Sequence, residues 1–447
     1  MLFSIRPNKS NTVTNVTINN RSVTGSNSGR SEILELFVLT SSQSSRGVSR
    51  VLLNFDISQI SSSIASGDIP SSSVEYRLIL KHAPSYETVP ASFDVIVHPL
   101  SSAWDSGNGL SMYDEGRKDS GYSNWVNATS IVPWVTPGTD FISSVSASQH
   151  FDSGFEDLNL DISNIMNAFL TGGIPNNGII VKFPTPYETG SQDFYVKKFF
   201  SQHAVVPERA PRLEARWSDT IEDDRSNIKY ENSGSLFYYK FLNGSPQNVA
   251  LPLYANILNS SSAVVQTLTA SLVEAGIYQI SGVFVAPTSS TKTFQDVWFN
   301  ALGTLFTGTF TPQYATGSES FEYDHLDVII PNIKSVYGTD ERVIINVFGK
   351  LKDYKPAFVK SGSVTPSPLI FNNAYYAILN EETKQTLVDF STGSVKYSKL
   401  SYDENGNYFE LWTNSLPKDN IYRLKVLVNY NNQKIVFDKN WLIKISE

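Results

Sequence analysis

Short stretches in which hydrophobic and polar residues alternate run through most of the chain. Each is rich in Val, Ile, Phe and Tyr and is bounded by Ser, Gly, Asn or Pro. The clearest stretches are Val51–Phe55, Tyr76–Lys81, Phe93–His98, Gly178–Phe183, Tyr278–Val285 and Tyr422–Tyr430. A period of two is typical of strands with one buried face, and turn formers between such stretches predict many short strands packed as sandwiches.

Helical periodicity is almost absent. One helix is predicted over Ile162–Leu170, because a Gly pair follows it and Asp161 or Ser163 can cap its first turn. A second, shorter helix is predicted over Ile57–Ala65, after Asp56. The pattern therefore predicts an all-β protein with two short helices.

Shifts in composition suggest where domains meet. Residues 219–233 are charged and poor in core residues, and a second break lies at Tyr314–Glu322. We therefore predict an N-terminal arm with the first strand or strands over 1–45, a β-sandwich over 46–219, and two further domains over 220–318 and 319–447. Residues 1–45 are rich in Ser, Thr and Asn, and we expect this arm to become ordered on assembly.

The two C-terminal segments have the length and the turn signals of immunoglobulin-like domains. Glu274-Ala-Gly-Ile-Tyr278 has the form of a tyrosine corner. Asp403-Glu-Asn-Gly-Asn-Tyr408, and then Asn420-Ile-Tyr422, repeat this type of turn-then-strand pattern. Asn405-Gly406 is a strong hairpin turn. We expect both domains to be immunoglobulin-like β-sandwiches that serve as spacers or docking modules.

Composition excludes several classes of protein. The 447 residues contain no Cys, so disulfides, thiolate metal sites and cysteine nucleophiles are excluded. A net charge of −8 argues against nucleic-acid binding. We also expect no membrane insertion, because no stretch of about 18 apolar residues occurs, and the N-terminus lacks the pattern of an export signal.

Motifs for catalysis are missing from the sequence. The five His residues stand in no metal-binding pattern, and neither a nucleophile elbow nor a phosphate-binding loop is present. We therefore predict that the protein is not an enzyme, with no catalytic and no cofactor-binding residues.

One long loop after Trp104 combines carboxylates, glycines and aromatic residues. Four carboxylates could bind Ca²⁺ through hard oxygen ligands, although a solvated turn explains them equally: Asp105, Asp114, Glu115 and Asp119. Five aromatic residues could form a contact surface for a sugar or a protein: Trp104, Tyr113, Tyr122, Trp125 and Trp134. The alternative is packing beneath the loop, which we favour for Trp104 and Trp125.

Several short motifs follow one another in a recognisable order. They are Phe55-Asp-Ile-Ser, Trp104, Leu160-Asp-Ile-Ser with Ala168-Phe-Leu-Thr-Gly, Gly178-Ile-Ile-Val-Lys and Ala210-Pro-Arg-Leu. In this order and spacing, residues 50–217 resemble the DNRLRE-type β-sandwich, a jelly-roll relative of carbohydrate-binding modules. Phe169 departs from the family pattern, in which Trp is common. The resemblance implies an N-terminal jelly-roll-like β-sandwich ahead of the two immunoglobulin-like domains.

The loop after Trp104 is similar to versions found in neck and tail proteins of tailed bacteriophages. This resemblance implies a non-enzymatic virion structural protein that acts by protein–protein assembly and leaves the cell at host lysis. Its partners would be other virion structural proteins, in an oligomer within a symmetric particle. Two alternatives stay open: a module that binds host surface glycan, and an accessory part of a polysaccharide-degrading enzyme.

Overall fold

The computed structural model describes residues 1–18, 21–40, 46–85, 90–111, 122–190, 194–242, 245–286, 293–314, 326–352, 368–430 and 433–446. The chain forms two compact units. One contains Leu2–Ser63 and Val74–Arg216, and the other contains Met1, Ile64–Ser73 and Trp217–Glu447. Nearly all regular structure is β-strand, so the all-β prediction is confirmed.

The N-terminal half forms a sandwich of two antiparallel sheets. Its strands are β1 (Leu2–Ile5), β2 (Pro7–Thr14), β3 (Thr17–Ile18), β4 (Arg21–Ser22), β5 (Ile33–Thr40), β6 (Arg46–Phe55), β7 (Glu75–Leu80), β8 (Phe93–Pro99), β9 (Ala147–Phe151), β10 (Leu158–Asp161), β11 (Ile179–Lys182), β12 (Phe194–Phe200) and β13 (Arg212–Arg216). One sheet has the order β1-β13-β7-β10, and the other has the order β12-β5-β6-β11-β8-β9 with β2 beside β6. The chain crosses repeatedly between the sheets, as in a jelly roll.

Three helices accompany these strands: α1 (Ser58–Ser66), α2 (Ser163–Leu170) and α3 (Thr185–Thr189). The first two confirm the sequence prediction to within a residue at each end. Before α2, the Asp161 carboxylate accepts hydrogen bonds from the Ser163 backbone N–H at 2.9 Å and from its hydroxyl at 2.6 Å. The helix buries Ile165, Met166 and Phe169, so the Phe that departs from the family pattern occupies a core position.

Within the predicted arm, the described residues 2–18 and 21–40 belong to the unit that forms this sandwich. Strand β1 pairs with β13, β2 pairs with β6, and β5 lies between β12 and β6. The sequence suggested an arm because β2 is made almost wholly of polar residues. Yet Ser10, Asn11, Thr12 and Thr14 are all buried in it. The Asn11 side chain donates to Ser123 of the covering loop, the Thr12 hydroxyl accepts the Glu35 N–H of β5, and the Thr14 hydroxyl donates to the Val48 carbonyl of β6.

The middle part of the chain is a second sandwich. Its strands are β14 (Ser233–Tyr239), β15 (Phe241–Leu242), β16 (Ser245–Pro246), β17 (Tyr254–Leu258), β18 (Val264–Thr269), β19 (Ser271–Glu274), β20 (Ile277–Val283), β21 (Phe294–Asn300) and β22 (Gly303–Phe310). The two main sheets have the orders β14-β20-β19 and β18-β17-β21-β22. These are the B-E-D and C′-C-F-G orders of an immunoglobulin-like fold. Trp298 lies fully buried in the core and stacks on Tyr238.

The last part of the chain is a third sandwich. Its strands are β23 (Leu326–Ile329), β24 (Val336–Gly338), β25 (Arg342–Leu351), β26 (Ala374–Asn380), β27 (Thr386–Val388), β28 (Ser401–Asp403), β29 (Gly406–Trp412), β30 (Ile421–Tyr430) and β31 (Gln433–Ser446). The sheets β23-β25-β29-β28 and β24-β31-β30-β26-β27 again follow the immunoglobulin-like order. Tyr376 and Phe409 stack between them with ring centroids 4.0 Å apart.

The third sandwich contains a tyrosine corner. Tyr422, at the start of β30, donates its hydroxyl hydrogen bond to the Pro417 carbonyl at 2.6 Å, five residues upstream. At Tyr278 the geometry differs, because its hydroxyl accepts from the Val249 backbone N–H at 2.9 Å. Tyr408, which has the same sequence signal, lies inside β29. Tyr278 opens β20, which corresponds to strand E rather than to the strand F that a tyrosine corner precedes.

Replacing the corner tyrosine by phenylalanine, Tyr422→Phe, is expected to lower the free energy of unfolding of the third sandwich by about 1–2 kcal/mol. The ring stays buried, while the Pro417 carbonyl loses its partner. Urea titration read by hydrogen exchange of peptides from β30 measures the change. An unfolding free energy equal to that of the unaltered protein would contradict this role for the hydroxyl.

The charged stretch predicted as a linker lies along the third sandwich. Glu222 forms a parallel bridge with Tyr402. The Asp223 N–H donates to the Tyr402 carbonyl at 3.2 Å, and the Tyr402 N–H donates to the Ile221 carbonyl at 3.0 Å. Lys399 also forms an ion pair with Glu222. Backbone pairing beside β28 therefore fixes the segment that precedes the middle sandwich.

Candidate functional site

The residues predicted to bind calcium are only partly described. The Asp105 carboxylate lies 3.9 Å from the Lys9 ammonium, whereas Asp114, Glu115 and Asp119 fall outside the described residues. Within the part of the chain that the structure describes, no three His, Asp or Glu side chains are placed to hold a metal ion. Calcium binding stays a prediction.

The tryptophans of the predicted contact loop are buried. The Trp104 indole N–H donates to the Asn177 carbonyl at 3.0 Å, and that of Trp134 donates to the Asn124 carbonyl at 2.8 Å. The Arg50 guanidinium lies 5.1 Å from the Trp125 ring centroid. These placements agree with packing beneath the loop, and the three indole rings form no exposed platform. Tyr122 is half-buried, and Tyr113 lies outside the described residues.

Two buried amide side chains hold the ends of this loop. The Asn27 side-chain amide donates to the backbone carbonyls of Ser106 and Ser123, both at 2.8 Å. Its side-chain oxygen accepts a hydrogen bond from the Gly109 N–H at 3.0 Å. Asn11 donates to the Ser123 carbonyl at 2.9 Å. The polar N-terminal residues thus pair with the loop backbone, which is why they are buried without hydrophobic side chains.

After the segment held by Asn11 and Asn27, the loop continues into a tight hairpin. The Ala128 N–H donates to the Val132 carbonyl and the Trp134 N–H to the Val126 carbonyl, both at 2.9 Å. The Asn124 side chain caps the turn by accepting the N–H groups of Val126 and Asn127 at 2.8 Å. Together with the buried Trp134 ring, these bonds fix the hairpin in one conformation.

The hairpin presents apolar side chains to solvent. Ile131, Val132 and Val135 are 87%, 50% and 90% exposed, and we call these three residues the apolar tip. Single exposed apolar residues are ordinary on protein surfaces. Three within five positions, on a hairpin held in a fixed conformation, are typical of a protein contact surface.

A buried group of charges lies beneath the same segment. The Glu188 carboxylate accepts two hydrogen bonds from Arg50, at 2.7 and 3.1 Å, and lies 3.2 Å from the Lys182 ammonium. Arg50 also donates to the Gly138 carbonyl at 2.5 Å. Burial lowers the pKa of Lys182, an effect that the nearby Glu188 opposes. This group ties β6, β11, α3 and the loop together.

A pocket of about 580 Å³ opens above these charges. Its lining combines polar and apolar groups: Arg50, Ser101, Ser102, Val135, Thr136, Pro137, Thr139, Asp140, Phe141 and Ser143. The backbone is strained at Thr139, a β-branched residue with φ of +97°. The preceding Gly138 has φ of +91°, which glycine adopts without strain. A Cβ atom on Gly138 would lie 2.6 Å from the Trp125 ring, so only glycine fits.

The other unit contains a second pocket, of about 390 Å³. Its central cation, Arg342, is paired with the Asp68 carboxylate at 2.6 Å and with Glu410 at 2.8 Å. Burial raises the pKa of Glu410. Because Arg342 is paired with two carboxylates, the arrangement is typical of a structural ion-pair network.

The middle sandwich has an unusual edge. Among the described strands, β18 pairs only with β17 and β19 pairs only with β20, so both are outer strands of their sheets. Four of their apolar side chains are between 47% and 56% exposed: Val264, Val265, Leu272 and Val273. We call these four residues the apolar edge.

Sequence reasoning missed the residues that shape these surfaces. Arg50 and Glu188 are 138 positions apart and carry no motif. A usable signal was Lys182, a charge that ends the otherwise apolar run of β11. The pairs Val264-Val265 and Leu272-Val273 also break strict alternation, which predicts a residue turned out of the regular strand.

Comparison with known proteins gives no family. No family model matches the chain, and no curated protein matches it. Among the described residues, no helix combines the length and apolar character needed to cross a membrane.

Solved structures with tandem immunoglobulin domains align at low similarity. A chimeric titin Z1Z2-Z1Z2 tandem is 11% identical, over 49% of this chain and 93% of its own, with a TM-score of 0.17. The Ig1-2 module of the Drosophila receptor protein tyrosine phosphatase DLAR is 11% identical, over 51% and 94%, with a TM-score of 0.16. Trypsin-activated alpha-2-macroglobulin from Escherichia coli is 8% identical, over 83% and 22%, with a TM-score of 0.18. Scores this low carry no argument, and the immunoglobulin-like description stands on strand order.

Proposed function

We propose that this protein is a non-enzymatic structural protein of a tailed-bacteriophage virion that acts by protein–protein assembly. The observation that carries the proposal is the apolar tip, a rigid hairpin that exposes Ile131, Val132 and Val135. The sequence resemblance to DNRLRE-type domains of phage neck and tail proteins supports the virion setting. The partner proposed for the tip is another structural protein of the same particle.

The geometry of the tip favours a protein partner over a sugar. Sugar-binding platforms use exposed aromatic faces, whereas the three indole rings of this loop are buried and anchor the hairpin. Aliphatic side chains on a fixed backbone lose little conformational freedom when a partner covers them. The hairpin therefore suits a preformed docking surface that fits a complementary apolar pocket.

Incorporation into particles tests this function. In phage that carry Ile131→Lys and Val135→Lys together, we expect at least a tenfold fall in copies of the protein per purified particle, because two unpaired charges would be buried at the contact. Quantitative mass spectrometry of gradient-purified particles measures the copy number.

The matched control is Val205→Lys. Val205 is 80% exposed and lies in the same unit, outside any strand or helix. This variant is expected to enter particles at the unaltered level. Absence of the unaltered protein from purified particles would overturn the virion proposal, and normal incorporation of the double variant would overturn the role of the tip.

A further inference from the structure

We infer that the pocket beside the apolar tip binds a carboxylate side chain of the protein that docks on the tip. This inference rests on the proposed function, because it adds a chemical requirement for the same partner. Val135 belongs to both surfaces, since it is 90% exposed in the tip and also lines the pocket. A partner that covers Val135 therefore also meets the pocket.

Arg50 lines this pocket and keeps two hydrogen-bond donors in reserve. A guanidinium carries five N–H groups. The Nε and Nη2 atoms each donate one hydrogen bond to Glu188, and Nη1 donates one to the Gly138 carbonyl. One N–H on each terminal nitrogen therefore has no acceptor among the described residues. A carboxylate, with its two oxygens, is the acceptor that guanidinium groups bind most strongly.

Two cations share one carboxylate beneath the pocket. Glu188 lies between Arg50 and Lys182, and all three side chains are largely buried. Asp140 also lines the pocket, but both of its carboxylate oxygens accept backbone N–H groups of the hairpin, at 2.8 Å. Because Arg50 shares its carboxylate partner with a second cation, its charge is incompletely neutralised, and an incoming anion is favoured there.

Thr139 supplies a second polar group to the same pocket. The residue is 1% exposed, and within the described part of the chain its hydroxyl has no hydrogen-bond partner. Buried polar groups are nearly always paired, so this hydroxyl suits a ligand that accepts a hydrogen bond. Its backbone is also held at φ of +97°, and strain of this kind concentrates at binding sites.

The rest of the lining favours an acidic side chain over other anions. Val135, Pro137 and Phe141 give the pocket apolar walls, which suit the methylene groups of such a side chain. A phosphate group presents three oxygens and close to two negative charges, which is more than Arg50 and Thr139 match. Since the contact depends on charge, high salt is expected to weaken it.

Acetate is the probe for this pocket, and acetamide is its neutral counterpart of similar shape. In methyl NMR spectra of the purified full-length chain with labelled valines, acetate is expected to shift the Val135 signals along a saturation curve in the millimolar range. Acetamide is expected to leave them in place. Absence of a saturable shift, or an equal shift with acetamide, would overturn the anion site.

Two pocket variants locate the binding. Ser101→Asp adds a negative charge at an exposed lining position, and Thr139→Val removes the hydroxyl while keeping the shape of the side chain. Each is expected to raise the acetate dissociation constant by at least about threefold. Ser62→Asp is the matched control, because Ser62 is exposed in α1 and is not part of the pocket lining. Acetate binding that both pocket variants retain at full strength would place the site elsewhere.

Particle incorporation tests whether the partner supplies the carboxylate. Phage that carry Ser101→Asp are expected to contain at least about threefold fewer copies of the protein per particle than phage that carry Ser62→Asp. Normal incorporation of Ser101→Asp would overturn the partner's role even if acetate binds. Absence of the unaltered protein from particles would overturn the proposed function, whereas the acetate titration decides the anion site independently on the purified chain.

Discussion

Glu188→Ala is expected to lower the free energy of unfolding of the N-terminal sandwich by about 3–5 kcal/mol. Glu188 is the carboxylate between the cations Arg50 and Lys182, and all three side chains are at least 85% buried. Removing it leaves two positive charges facing each other in a largely buried site. The cost arises from those unpaired cations more than from the lost hydrogen bonds.

Two comparison variants separate this effect from lost packing. Glu75→Ala removes a carboxylate from a half-buried pair with Arg77 in the same sandwich. Solvent still screens this pair, so the change is expected to alter stability by about 1 kcal/mol or less. Adding Lys182→Met to Glu188→Ala removes one unpaired cation and is expected to recover part of the loss. Urea titration with hydrogen exchange of β6 and β11 peptides reports on this sandwich. Equal effects of Glu188→Ala and Glu75→Ala would refute the argument.

A second buried lysine makes the same sandwich more stable as the solution becomes alkaline. The Lys197 ammonium is fully buried and donates to the carbonyls of Gly154 and Glu156, both at 2.7 Å. It also lies 3.0 Å from His82 Nδ1. The ring centroids of Phe151 and Phe199 are 4.8 and 5.2 Å from the same nitrogen. Burial lowers the pKa of Lys197 to about 8.

The direction of the pH effect follows from this pKa. An unfolded chain holds a lysine proton up to a pKa near 10.4, whereas the folded chain releases it near 8. Between these values the unfolded state binds more protons, so the unfolding free energy rises with pH. We expect a gain of about 2 kcal/mol from pH 8 to pH 10, and no contribution to the slope below pH 7.

Lys197→Met provides the measurement. The difference in unfolding free energy between this variant and the unaltered chain, taken at pH 7, 8, 9 and 10, removes titrations that both proteins share. The unaltered chain is expected to gain relative to the variant at each step above pH 8. Parallel pH profiles would show that Lys197 keeps an ordinary pKa.

Local pattern predicted most of the regular structure. The alternating stretches at Val51–Phe55, Tyr76–Lys81 and Tyr422–Tyr430 all coincide with strands to within a residue or lie inside longer ones. The two predicted helices, α1 and α2, occur where the sequence placed them, whereas α3 was not predicted. These strands and helices depend on residues that are close together in sequence, so the local sequence pattern is enough to predict them.

What the sequence did not reveal depends on distant partners. Strand β2 is buried although it is polar, because Asn11 pairs with Ser123, which is 112 residues away. Lys197 can be buried because carbonyl groups more than 40 residues away in sequence accept its hydrogen bonds. The three tryptophans of the long loop are buried, which agrees with the packing alternative. The apolar tip beside them was not predicted from the sequence, because isolated Ile and Val residues belong to no recognisable motif.

The parallel pairing of β24 with β31 has a mechanical consequence. Val336–Gly338 lies near the beginning of the third sandwich, and its partners Lys444–Ser446 lie near the end. When force pulls the two ends of this domain apart, parallel strands slide along each other, so their hydrogen bonds are loaded together rather than broken one after another. The middle sandwich has a similar parallel bridge between Lys229 and Gln313. Both domains are therefore built to transmit tension along the chain before they open.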